Sequence, residues 1–144
     1  MDKELQAIFI ADVNDLEDNY FRGDKWLLFE ALRRCGQYGI PWPLWVRNAY
    51  EAALLEYQDG KARTLDEAFG IKREKGQRLH ALAKRMQRDH TLISLQTRLY
   101  RFVEERRKIG AVLSRESAFA DAGEKFEISP GLAEKIYREV DRQS

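Results

Sequence analysis

One cysteine, three prolines and two histidines are all that the 144 residues offer of the types that staple, break or ligate. A single thiol rules out an intrachain disulfide, and the setting of Cys35 among Leu28, Ala31 and Leu32 places it in a core rather than at a nucleophilic site. His80 and His90 stand ten positions apart, off the four-residue spacing that would put two imidazoles on one helix face, so no metal site follows. There is no Gly-rich phosphate loop, strand-turn nucleophile or cysteine pairing, and the carboxylates are scattered as solvated charge. The acidic run Asp12, Asp15, Glu17 and Asp18 lacks the glycine and closing glutamate of a calcium loop and reads as an exposed acidic helix end or loop. We expect no enzyme, no metal and no cofactor. No apolar run approaches the roughly 18 residues that span a bilayer, and the opening MDKELQ lacks the basic flank and apolar stretch of a secretory signal. The expectation is a cytoplasmic protein with no membrane partner.

What is present is amphipathic and charged. Hydrophobic residues make up 44% and charged ones 34%, a globular composition at a length that buries a core without staples. The net charge of +1 conceals a segregation. Residues 1–60 carry 6 basic and 11 acidic side chains, residues 61–108 carry 14 and 6, and residues 109–144 carry 5 and 7. A basic middle between acidic flanks suits a polyanionic partner, and equally suits an acidic segment of the same fold or of a second copy in a homodimer.

The hydrophobic spacing is helical throughout. LQAIFIADV (5–13) is the most strand-like run but has no partner strand, so it reads as helix. Trp26, Leu28, Phe29, Leu32 and Cys35 recur at three- and four-residue steps, with Gly36 near the stop. Pro41 and Pro43 lead into a helix whose face holds Trp45, Ala49, Ala52, Ala53 and Tyr57 and which ends at Asp59-Gly60. The aromatics at that corner, Trp42 and Trp45, read first as packing and second as a platform for another protein. Thr64 and Glu67 have capping-box spacing ahead of Gly70. From residue 75 to 108 the pattern is one long helix or two, with Asp89 or Thr91 as the break, and Arg85, Arg88, Arg98 and Arg101 lie on its polar side. That side is a solvated face or a stripe that tracks phosphates. We expect an all-α bundle of about six to seven helices, as an acidic lobe over 1–70 and a basic helical segment over 71–144, or as one single domain.

The last stretch carries the sharpest pattern. After Gly110, Ser114 or Ser117 caps a helix through Phe126, Glu127-Ile128 make a turn, and Ser129-Pro130 open the final helix as N-cap and first residue. Along AGEKFEISPGLAEKIY the small pair Ala122-Gly123, then Phe126, Ile128, Leu132, Ala133 and Ile136, fall where two helices meeting at an angle need small or apolar groups. This arrangement resembles the helix-turn-helix of bacterial DNA-binding proteins. Glu127 stands where that motif often has glycine. The resemblance implies a transcriptional regulator that binds double-stranded DNA, with Lys135, Arg138 and Arg142 outward on the second helix and Arg85, Arg88, Arg98 and Arg101 assisting. PWPLW (41–45), TLDEAFG (64–70) and FEISPGLAEKIY are also similar to segments of small helical proteins of proteobacteria and their mobile elements. That likeness implies a bacterial setting and no activity. The other reading is a helical protein-interaction module or accessory factor, without DNA binding, that uses Trp42 and Trp45.

Overall fold

The computed structural model describes residues 2–71 and 93–143. Its architecture is all-α: the described residues hold eight helical segments, the shortest a single four-residue turn. They are α1 (Lys3–Asn14), α2 (Glu17–Phe21), α3 (Leu27–Tyr38), α4 (Leu44–Gln58), α5 (Leu65–Ala68), α6 (Leu95–Lys108), α7 (Ala118–Phe126) and α8 (Pro130–Gln143). The run LQAIFIADV is helical, as its lack of a pairing partner requires. Two units divide the chain, one made of Met1–Ala7 with Ile93–Ser144, the other of Ile8–Leu92.

In the unit Ile8–Leu92, α3 supplies the central stripe. Leu27, Leu28, Ala31, Cys35 and Tyr38 are all buried along one face, and burial pushes the Cys35 thiol pKa up, away from nucleophilic use. The helix runs through Gly36 and stops at Gly39, which takes the left-handed conformation (φ 66°) that lets its N–H reach back to the Cys35 carbonyl. Phe9 lies flat on Tyr38, ring centroids 4.0 Å apart. Trp45 is buried and donates its indole N–H to Asn14 Oδ1 at 3.0 Å.

One feature of this unit departs from the sequence reading. Asp12, taken as part of an exposed acidic end, is buried with Glu30 and Arg34. Arg34 donates Nε to Glu30 Oε1 at 3.1 Å and Nη1 to the Asp12 carbonyl at 2.8 Å, and Tyr38 donates its hydroxyl to the Asp12 carboxylate. Thr64 does cap α5, accepting from the Glu67 N–H at 3.3 Å, while the Glu67 carboxylate turns back to the Arg63 N–H.

The unit Met1–Ala7 with Ile93–Ser144 is built on α6, α7 and α8, each packed on the other two. Leu99 and Val103 from α6, Phe119 and Ala122 from α7, and Ala133 and Ile136 from α8 are fully buried. Burying each large apolar side chain of this set stabilises the unit by about 1.5–3 kcal/mol. Tyr137 joins the three helices: it stacks on Tyr100 at 5.1 Å, meets Phe119 at 5.6 Å, and donates its hydroxyl to Glu104. Burial first, and the Glu104 carboxylate second, push its pKa up to about 12. Ser94, in extended conformation, caps α6 by accepting from the Thr97 N–H at 3.3 Å, so the helix bearing Arg98 and Arg101 starts at Leu95. The breaks expected at Asp89 or Thr91 lie outside the described residues.

Candidate nucleic-acid interface

The joint between α7 and α8 is three residues long, and its shape follows from Gly123 within α7 and Glu127 in the joint. Gly123 faces the turn: a Cβ there would stand 2.7 Å from the Ile128 carbonyl oxygen and 3.2 Å from the Pro130 nitrogen, closer than side chains approach. Four residues on, Glu127 takes the left-handed conformation (φ 58°, ψ 40°), and the Ile128 N–H bonds the Gly123 carbonyl at 2.9 Å. The turn therefore has the geometry that glycine ordinarily supplies, held here by a residue that pays a steric cost for it. Replacing Glu127 with glycine is expected to stabilise this unit by about 0.5–1 kcal/mol, the relieved strain being partly offset by chain entropy, and a denaturant midpoint that falls instead would overturn the account.

Beyond the turn, Ser129 accepts from the Leu132 N–H at 3.2 Å and Pro130 opens α8, as the sequence requires. Leu132, Ala133, Ile136 and Tyr137 turn inward. Gly131 and Glu134 are left half-buried, and Lys135, Arg138 and Arg142 are exposed along the opposite edge.

That edge is paired rather than purely cationic. Glu134 accepts from Arg115 Nε at 2.8 Å and from Arg138 Nε at 3.0 Å, and these bonds, Arg115 first, hold its carboxyl below the ordinary range. Lys135 reaches Asp2 at 2.5 Å and lowers the pKa of that carboxyl in the same way. Arg142 lies 3.8 Å from Glu139. The Arg115 guanidinium also stands over Gly131, whose missing Cβ would meet it at 3.6 Å. With the Lys135 and Arg138 side chains 43% and 51% exposed, these are surface pairs screened by solvent, so a phosphate can displace a carboxylate from them.

The other sequence candidates fall elsewhere. Arg98 and Arg101 are on α6, Arg98 with its Nε bonded to the Ile93 carbonyl at 3.1 Å and its guanidinium 6.0 Å from the Phe126 ring. Arg138 approaches Phe119, at the start of α7, and Arg98 approaches Phe126, at its end. Seven residues, about 10 Å of helix rise, separate positions 119 and 126, so Arg138 and Arg98 approach opposite ends of α7. Arg85 and Arg88 lie outside the described residues. Of the two tryptophans offered for protein contact, Trp45 belongs to the core, and Trp42 is 40% exposed, set edge-on to Tyr50 at 5.2 Å.

Comparison with known proteins adds no family. No family model, curated protein or solved structure matches the chain. Among the described residues no group of three or more His, Cys, Asp or Glu is placed to hold a metal ion, and no helix is long and apolar enough to cross a membrane. The sequence reading missed Arg115 and Asp2, the groups that set the charge of the α8 edge. Their partners lie 19 and 133 positions away, and no local spacing marks such pairs.

Proposed function

We propose that the unit built on α6, α7 and α8 binds duplex DNA, with α8 as the helix that enters the groove, and that the protein acts as a transcriptional regulator of a bacterium or mobile element. The observation that carries this reading is the Gly123–Glu127 turn. It fixes α8 with its apolar side on α6 and α7 and leaves Lys135 and Arg138 on the solvent edge, where a second helix after a short turn meets base edges and phosphates. The paired state of that edge supports specific over indiscriminate binding. With Glu134 and Asp2 among the cations, sequence-blind attraction to phosphate is weak, and affinity rests on contacts that repay the broken pairs.

Selection of bound sequences from random genomic fragments, followed by salt titration on the recovered duplex, tests the reading. The Lys135→Ala/Arg138→Ala protein is expected to bind the recovered duplex at least about tenfold more weakly and to lose its preference over random DNA. Undiminished preference in that variant removes α8 from DNA recognition.

A second reading, a protein-interaction module, is favoured by one observation in the unit Ile8–Leu92. Trp26, Phe29, Phe69, Tyr50 and Trp42 form a continuous ladder of rings with successive centroids 5.2–5.9 Å apart, none of them buried. Absence of any duplex DNA binding at low salt, together with specific capture of a protein that Trp42→Ala abolishes, would put this reading first.

A further inference from the structure

Arg106 and Lys125 are brought together on a pair of phenylalanines. Phe102 on α6 and Phe126 at the end of α7 meet edge to face, centroids 5.9 Å apart. Arg106, one turn beyond Phe102, sets its guanidinium 5.1 Å from the Phe102 centroid, and Lys125 sets its ammonium 4.5 Å from that same centroid and 5.8 Å from that of Phe126. Both cations are exposed and both rings half-buried. Among the described residues neither cation makes an ion pair, although Glu105 and Glu124 neighbour them along the chain.

Two like charges sharing one ring repel each other, and the packing of α6 on α7 holds them there without a carboxylate between them. The electron-rich faces restrain the cations without neutralising them, in contrast with the α8 edge, where each cation already has an acid. Two phosphates of one backbone, one against each cation, would neutralise both.

We propose that Arg106 and Lys125, held on the Phe102–Phe126 pair, form a phosphate-binding site for a nucleic-acid backbone, separate from the α8 edge. The DNA reading above supplies only the source of the phosphate. The rings act as positioning groups: they fix the cations and raise the local field by excluding water from one side. Such a site contributes affinity and no base preference.

The test uses the intact chain and two probes, random-sequence duplex DNA and inorganic polyphosphate. The Arg106→Gln/Lys125→Gln variant is expected to flatten the dependence of log K on log salt by about 1.8, which is about 0.9 for each of two phosphate contacts, and to lose polyphosphate binding. The charge-keeping Arg106→Lys/Lys125→Arg variant retains both, which separates lost charge from lost packing. An unchanged salt slope and unchanged polyphosphate binding in the Gln variant overturn the site and leave the α8 reading standing. Polyphosphate binding that depends on Arg106 and Lys125, in a protein whose duplex binding ignores Lys135 and Arg138, overturns the α8 reading and leaves the site standing.

Discussion

Replacing Arg34 with methionine is expected to destabilise the unit Ile8–Leu92 by about 3–5 kcal/mol, the cost of removing one partner from a buried charge network. Arg34 is 2% exposed and lies between two carboxylates that are 4% and 6% exposed, those of Asp12 and Glu30. Methionine fills much of its volume but donates nothing. Asp12 then loses the Arg34 guanidinium while Tyr38 stays on its carboxylate, and Glu30 loses its buried partner while Arg33, whose side chain is 60% exposed, remains. Two controls read by urea denaturation locate the cause. Arg33→Met removes the exposed partner and should cost about 1 kcal/mol or less. Arg34→Met combined with Asp12→Leu and Glu30→Met removes all the charges together and should recover most of the loss, since an uncompensated charge and not the absence of a salt bridge is what hurts. An Arg34→Met protein as stable as the parent would show that the network contributes nothing.

That network also marks the limit of what the sequence discloses. Elements set by local chemistry were legible: the helix start at Ser129-Pro130, the Thr64 cap three residues before Glu67, the burial of Cys35 from its neighbours at helical spacing, and the helical state of LQAIFIADV. Each depends on groups within about one turn of helix, where spacing in sequence is spacing in space. The role of Asp12 was not legible, because its partners Arg34 and Tyr38 are 22 and 26 positions away and a buried aspartate has the same letter as a solvated one. Trp45 shows the same limit: only the fold distinguishes an indole N–H satisfied by Asn14 from one offered to a partner. Gly36 reads as lying near the stop, and α3 ends two residues past it, at Tyr38, with Gly39 as its left-handed cap. On the α8 edge the cations were legible from periodicity, and their neutralisation by Arg115-linked Glu134 and by Asp2 was not.

Gly36 and Gly123 separate propensity from geometry by the sign of one substitution. Alanine at an exposed helical glycine gains up to about 1 kcal/mol from chain entropy alone. At Gly36 in α3, where a Cβ meets nothing within 4 Å, that gain should be realised in full. At Gly123 in α7 the same methyl group would press on the Ile128 carbonyl at 2.7 Å, and the obstacle is backbone, so no side chain can swing aside. Gly123→Ala is therefore expected to destabilise the unit built on α6, α7 and α8 by about 1–3 kcal/mol despite the better propensity, and Gly123→Val by more. To make room, the turn at Glu127–Ser129 must open. Opening it rotates α8 away from α7, pulls Tyr137 from its seat beside Phe119, and shifts Lys135 and Arg138 relative to α7. On the DNA-binding proposal, duplex binding should then fall with stability in Gly123→Ala and hold in Gly36→Ala. Thermal unfolding of the two variants side by side decides the first half: a Gly123→Ala protein that melts above the parent would mean that the close approach is not structural. Their salt-titrated affinities decide the second, since a Gly123→Ala protein that folds less stably yet binds duplex DNA as before would detach the turn from recognition.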